Sequence, residues 1–240
     1  MLVTTTNQII PVSQIKVSDI YQQLVGENWL QIAIESSRNQ WIINTIKWEN
    51  RWKYLLKSQH LTPKDKEFKH KQWIGKLWTG SNRPTNENGV VICPICNKME
   101  HERNHPLGTK CNLSKNIFKK FREIWRKWTN GTHLNQSKSW FKKIWNLDWS
   151  SDYEYGNQID FVITSLKRKL WNNYTKCLFG GISSTIEELW EIWINDIKWN
   201  LKSMIIRYQN NPQQLVSWKL NGSWLIEQNS NFQINIINFG

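Results

Sequence analysis

The residues best suited to chemistry lie close together near the middle of the chain. Three of the four cysteines and two of the five histidines fall within residues 91–115. Cys93 and Cys96 are separated by two residues, a spacing that lets a tight turn direct both thiolates at one tetrahedral ion. His105 follows after eight residues, and Cys111 after five more. Three sulfurs and one nitrogen predict a closed structural Zn2+ site without a position open to water.

A second histidine, His101, competes for the nitrogen position. We favour His105 because Pro106 and Gly108 can shape the return of the chain to Cys111, and we keep His101 as the alternative. Small zinc modules commonly gain about 10 kcal/mol or more from their metal, so the ion would dominate local folding. The competing interpretation is an exposed loop whose reduced cysteines bind nothing.

The composition favours a polyanionic partner. The formal net charge is +13 and the pI is near 9.6, and lysines that neutralise phosphates release condensed counterions. Abundant Asn and Ile are also what an A/T-rich coding sequence produces, so part of the lysine excess can be compositional. The seventeen tryptophans cannot be explained in that way and demand buried or stacking environments.

The sequence predicts an intracellular protein in a reducing compartment, either the nucleus or the cytoplasm. Residues 1–14 lack the basic start and long apolar run of a signal peptide, and no apolar stretch approaches a membrane span. Clustered cysteines in such a compartment are more often metal ligands than disulfides. Cys177 lies in an apolar helical pattern and is expected in the core. We predict no membrane partner and no small-molecule substrate.

Hydrophobic periodicity predicts a mainly α fold, an irregular helical domain around a small zinc knuckle. The last two helices are expected to pair antiparallel, and Ser184 and Glu187 have capping-box spacing at the start of the second. The predicted helices cover residues 17–26, 48–57, 61–78, 113–128, 158–179 and 184–206.

The C-terminal segment is predicted to form a β-hairpin or a three-stranded meander. Asn221 and Gly222 lie between two alternating runs, which is a strong hairpin signal, and residues 231–239 can add a third strand. These patterns divide the chain into N-terminal short helices (1–62), a zinc-binding module with flanking helices (63–130), a helical hairpin region (131–211) and a β-hairpin tail (212–240).

The helix after the cysteines has a cationic stripe beside its apolar one, and Glu123 is its only acidic residue. Such a helix can lie along a phosphate backbone. A solvated charged face without a partner is the alternative. The candidate nucleic-acid-binding residues are Lys115, Lys119, Lys120, Arg122, Arg126 and Lys127.

Most tryptophans are expected in the core, because Trp48, Trp52, Trp125, Trp190 and Trp193 recur at helical spacing with other apolar residues. A few lie beside lysines instead and are candidates for stacking on bases. These are Trp73, Trp78 and Trp140.

The order of these motifs resembles the zinc-binding domain that follows the polymerase in reverse transcriptases of non-LTR retrotransposons. The resemblance covers roughly residues 17–128, and its most specific part runs from CPIC to the helix that follows. The matching motifs are IYQQL at 20–24, KWENRWKYLL at 47–56, EFKHKQWIGKLW at 67–78, RPTNEN at 83–88, CPIC at 93–96, His105, Cys111 and FKKFREIW at 118–125.

This resemblance implies a non-catalytic module that binds RNA or another nucleic acid. The family commonly has four residues between its last His and Cys, whereas five separate His105 from Cys111, so the choice between His105 and His101 stays open. Nothing in the sequence resembles the paired aspartates of the polymerase, and the C-terminal hairpin lacks the acidic residues of ribonuclease H.

Two other functions remain as alternatives. The first is an HNH-type metal-dependent nuclease with His101 or His105 as the base, although the cysteine that such nucleases have beside Cys111 is missing. The second is a structural domain that docks on a reverse transcriptase or on another copy of itself.

Overall fold

A computed structural model describes the protein over residues 2–3, 9–10, 48–73, 76–77, 79, 88–100, 105–108, 110–130, 155–228 and 231–236. The chain divides into two compact units, Met1–Leu56 with Trp73–Gly75 and Lys57–Gln72 with Lys76–Gly240. The first unit contains the short antiparallel strands β1 (Leu2–Val3) and β2 (Ile9–Ile10) and most of helix α1 (Trp48–Lys57). The helix predicted at 17–26 lies outside the described residues.

The remaining elements confirm a mainly α fold with a C-terminal two-stranded antiparallel hairpin. None of the helices in the described part of the chain could cross a lipid bilayer. In chain order, the elements are α2 (Pro63–Trp73), a 3-10 turn (His105–Leu107), α3 (Asn112–Trp128), α4 (Gly156–Gly180), α5 (Ile186–Arg207), a 3-10 helix (Pro212–Lys219), β3 (Leu225–Gln228) and β4 (Asn231–Ile234).

Helices α4 and α5 form the predicted antiparallel pair. The indole nitrogen of Trp193 donates to the Val162 carbonyl at 3.2 Å. Gly181 ends α4 in the left-handed region, at φ 65°, where glycine has no steric cost. The capping box at the start of α5 is formed by Thr185 and Glu188. The prediction that placed it one residue earlier was wrong, because the chain enters the helix at Thr185.

The core between α3, α4, α5 and the C-terminal segment contains many aromatic rings. Trp125, Trp128, Trp193 and Trp224 are all fully buried. The rings of Trp128 and Trp224 meet edge to face with centroids 5.3 Å apart, an arrangement favoured by the ring quadrupoles. Trp190 is buried as well, which confirms the core positions predicted for Trp125, Trp190 and Trp193. The side chains of Trp48 and Trp52 lie outside the described residues.

The C-terminal hairpin begins after the Asn221–Gly222 turn, whereas the sequence pattern predicted that this turn would join the two strands of the hairpin. Leu215 and Trp218 are buried three positions apart, and this period suits the observed 3-10 helix rather than a strand. Asn221 and Gly222 do form a turn with positive φ, but it joins this helix to β3. Residues 231–234, expected as a third strand, are the second strand β4.

A buried network of charged side chains joins α2 to α4. The Asp160 carboxylate accepts from the Lys69 ammonium at 2.5 Å and contacts the His60 ring at 3.1 Å. Burial by itself would raise the pKa of Asp160, but these two partners lower it to about 2. Arg168 of α4 binds Asp65 of α2 at 2.6 Å. The second unit therefore has ionic contacts inside its core as well as aromatic ones.

Candidate metal centre

The structure brings Cys93, Cys96, His105 and Cys111 together as one cluster. Their ligand atoms all lie within 4.8 Å of one another. In a tetrahedral zinc site with bonds of about 2.0–2.3 Å, neighbouring ligand atoms are about 3.5–3.8 Å apart. The cluster is therefore at most about 1 Å wider than a closed coordination sphere. Cys93, His105 and Cys111 are buried, and Cys96 is half-buried.

A tight turn directs the first two thiols towards the same point. The backbone N–H of Cys93 donates to the Lys98 carbonyl at 2.9 Å, and the N–H of Asn97 donates to the Cys93 carbonyl at 2.9 Å. Asn97 has φ 54°, a left-handed conformation that Asn adopts more readily than most residues. The turn has the geometry that the spacing of Cys93 and Cys96 predicted.

His105 enters the cluster from the 3-10 turn. Its Nε2 atom lies 3.2 Å from the Cys96 sulfur. The Ser114 hydroxyl of α3 donates to the Pro106 carbonyl, which holds this turn against the start of the helix. The favoured nitrogen ligand is thus within reach of the three sulfurs. The alternative, His101, lies outside the described residues.

Cys111 occupies the N-cap position of α3 and therefore links the cluster to that helix. A hydrogen bond with the Cys93 thiol lowers the pKa of Cys111 to about 5, although burial opposes this, and the N–H groups of Ser114 and Leu113 add to the lowering. The same hydrogen bond, together with burial, raises the pKa of Cys93.

The C-terminal turns of α4 form a wall behind the cluster that the sequence did not predict. Tyr174 is fully buried against Cys93 and Cys111. Its hydroxyl donates to the Glu100 carboxylate at 2.8 Å. Cys177, expected in the core, is half-buried, and its thiol donates to the Pro94 carbonyl at 3.3 Å. No local signal could have found these contacts, because 74 and 83 residues separate the partners.

The structure leaves most of the basic residues predicted on α3 facing outward. Lys120 is half-buried, and its ammonium lies 5.1 Å from the centre of the Trp190 ring. The other five cations are exposed. Within the described part of the chain, four of them have no side-chain hydrogen bond or ion pair, namely Lys115, Lys119, Arg122 and Arg126.

Of the three tryptophans proposed for base stacking, only one lies in a described segment. Trp73 is 6% exposed, so its ring faces are not available to a nucleic acid. The stacking prediction for Trp73 was therefore wrong. Trp78 and Trp140 lie outside the described residues.

Comparisons of this chain with the models of known protein families, with curated proteins and with solved structures found no match. The resemblance to reverse-transcriptase zinc-binding domains therefore rests on the motifs and remains a prediction.

Proposed function

We propose that this chain is a non-catalytic zinc-binding module that binds RNA through the basic face of α3, as the resemblance to reverse-transcriptase zinc-binding domains implies. The observation that carries the proposal is the convergence of Cys93, Cys96, His105 and Cys111 within 4.8 Å. Three sulfurs and one imidazole suit zinc, because soft thiolates select it over magnesium or calcium.

A structural role for the ion follows from the number and burial of the ligands. Four side chains complete a tetrahedral sphere, so no position remains for a reacting water. Three of the four ligands are buried, and Tyr174 covers two of them. The ion would stabilise the knuckle, the segment from Cys93 to Cys111, which has few apolar residues of its own. Through Cys111 it would also fix the start of α3.

The basic face of α3 supports RNA as the partner. Lys115, Lys119, Arg122 and Arg126 repeat at steps of three and four residues, so they lie in one row about 16 Å long. The apolar face of the same helix is buried, which fixes the direction of the row. Four cations that make no ion pair within the described residues are available to phosphates.

Metal analysis of the purified protein tests the zinc proposal. We expect about one zinc per chain for the wild type, and loss of zinc together with helical circular dichroism for Cys93→Ser. Cys177→Ser is the matched control, because its thiol contacts a carbonyl of the knuckle but is not a member of the cluster. Zinc that is absent from the wild type, or retained by Cys93→Ser, would contradict the proposal.

Filter binding of single-stranded RNA at several salt concentrations tests the RNA proposal. Four phosphate contacts predict a slope of about −2.8 for log K against log salt, which is a loss of about 50-fold in affinity between 50 and 200 mM. The paired variant Arg122→Gln/Arg126→Gln should reduce the slope by about 1.4. Lys64→Gln/Lys176→Gln changes the net charge equally at exposed positions elsewhere and should leave the slope unchanged.

The two double variants also distinguish RNA binding by the basic face of α3 from non-specific attraction by the overall charge. If both reduce the slope equally, the protein binds RNA only through its overall charge. If the wild type binds no RNA, or binds it independently of salt, the functional assignment is wrong. Stronger binding to duplex DNA of the same length would replace RNA with DNA as the partner.

A further inference from the structure

The outer face of α5 carries a regular row of exposed residues, whose first member, Glu188, also completes the capping box at the start of the helix. Steps of four and three residues connect its six members, the spacing of the a and d positions in a coiled coil. All six are exposed. The row consists of Glu188, Ile192, Asn195, Trp199, Lys202 and Ile206.

Every second member of this row is a large apolar residue. Ile192, Trp199 and Ile206 are 44%, 68% and 61% exposed. They lie seven residues apart and therefore form a straight line along the helix, about 21 Å long. Single exposed apolar residues are common on protein surfaces, but an aligned set of this kind marks an interaction surface.

This line lies opposite the side of α5 that packs into the core. Trp193, Ile197 and Leu201 are fully buried on the inner side. At 100° per residue, the line is centred about 160° from these residues. The apolar line is therefore not a continuation of the core, and α5 has two separate apolar faces.

The charges beside the line change sign along the helix. Glu188 and Glu191 are exposed near its start, and Lys202 is exposed towards its end, where its ammonium lies 5.4 Å from the centre of the Trp199 ring. Two such helices in parallel would place like charges side by side. Two helices in antiparallel orientation would place Glu191 of each copy beside Lys202 of the other, and their dipoles would also oppose.

We infer that the outer face of α5 binds a second copy of this chain, with the two α5 helices antiparallel about a two-fold axis. A two-fold contact requires a self-complementary surface, and a helix with an apolar line, an acidic start and a basic end meets that condition. In the antiparallel register, Trp199 packs beside Asn195 of the second copy. Ile192 packs along the aliphatic stem of Lys202 of the second copy, whose ammonium reaches Glu191.

The size of this surface predicts a weak dimer. Stable interfaces bury about 800 Å² on each partner, and one helix face with three apolar residues provides less than that. We expect a dissociation constant in the range of about 10–100 μM. Trp199 is the central residue of the line, so it should contribute most to the affinity.

Sedimentation equilibrium of the purified chain, free of nucleic acid and at an ionic strength of about 0.15 M, tests the inference. The wild type should show a reversible monomer–dimer equilibrium. Trp199→Ser should weaken the dimer at least about 30-fold. Phe179→Ser is the matched control, because Phe179 is 75% exposed but lies outside α5, and it should leave the equilibrium unchanged.

A charge exchange tests the antiparallel orientation. Glu191→Lys and Lys202→Glu should each weaken the dimer, because each places like charges together twice. An equimolar mixture of the two variants should form a heterodimer, because both contacts then join opposite charges. All of these substitutions are at exposed positions, so unchanged circular dichroism is the check that each variant is folded.

Four results would overturn the inference. The first is a wild-type chain that stays monomeric at several hundred micromolar, about ten times the expected dissociation constant. The second is an equal effect of Trp199→Ser and Phe179→Ser on the dimer. The third is a mixture of charge variants that associates no better than either variant alone. Loss of RNA affinity in Trp199→Ser without any change in self-association would likewise overturn it, in favour of base stacking on Trp199.

Discussion

Replacing Asp160 with asparagine should destabilise the protein strongly, because the carboxylate of Asp160 neutralises charges inside the core. Asp160 and Lys69 are both fully buried, and their charged atoms are 2.5 Å apart. Lys167 is fully buried in the same region, and burial together with the charge of Lys69 lowers its pKa. Asp160→Asn keeps the shape of the side chain but removes the negative charge that both lysines share.

Two lines of reasoning give a similar loss of unfolding free energy for Asp160→Asn. The pKa of Asp160 falls from 3.8 to about 2, and a shift of this size corresponds to about 2–3 kcal/mol of unfolding free energy. Removing one partner of a buried ion pair typically costs about 3–5 kcal/mol, because the remaining charge stays in a medium of low polarity. A loss of about 3 kcal/mol is a large part of the 5–15 kcal/mol that stabilises an ordinary domain.

Urea unfolding of matched variants measures this loss. Glu67→Gln is the control, because Glu67 pairs with Lys71 at 2.6 Å on the exposed side of α2. It should cost no more than about 0.5 kcal/mol. Because the folded pKa of Asp160 is lowered, its contribution is complete above pH 4 and is lost as the pH falls towards 2. Asp160→Asn should lack this part of the pH dependence. A loss below about 1 kcal/mol, or one equal to that of Glu67→Gln, would refute the reasoning.

Two further predictions concern the metal centre and the start of α5. Tyr174→Phe should leave the zinc content unchanged but lower the urea midpoint by the equivalent of about 1–3 kcal/mol, because the buried Glu100 loses a hydrogen bond; an unchanged midpoint would mean that this bond does not brace the knuckle. Thr185→Ala should cost about 1 kcal/mol in the same assay by removing the capping hydroxyl, whereas Ser184→Ala should have no effect. Equal losses in the two alanine variants would contradict the observed cap.

The parts of the structure that short-range patterns specify were predictable from the sequence. The apolar positions of α3 recur at three- and four-residue steps, and Ile117, Phe121 and Ile124 are buried as that pattern predicts. The spacing of Cys93 and Cys96 also predicted the turn that directs both thiols to one point. In each case the physical cause lies within one helix or one turn.

The contacts that the sequence did not reveal join segments far apart in the chain. Lys69 and Asp160 are 91 residues apart, and both are fully buried in an ion pair. Charged residues in α2 ordinarily indicate a solvated face, so no local rule predicts that Lys69 faces inward. The shift of the hairpin has a different cause, because the burial of Leu215 and Trp218 against the core outweighs the alternating pattern of that segment.

The position of Tyr174 against Cys93 and Cys111 means that the cysteine knuckle is not an autonomous finger. A truncated protein ending at residue 130 would retain every proposed ligand but would open one side of the sulfur cluster to water and to oxidants. The shortest fragment that keeps Tyr174 packed against the cysteines must extend through α4, to about Gly180. The end points of truncated fragments should therefore be chosen from the packing of α4 rather than from the position of the last cysteine in the motif.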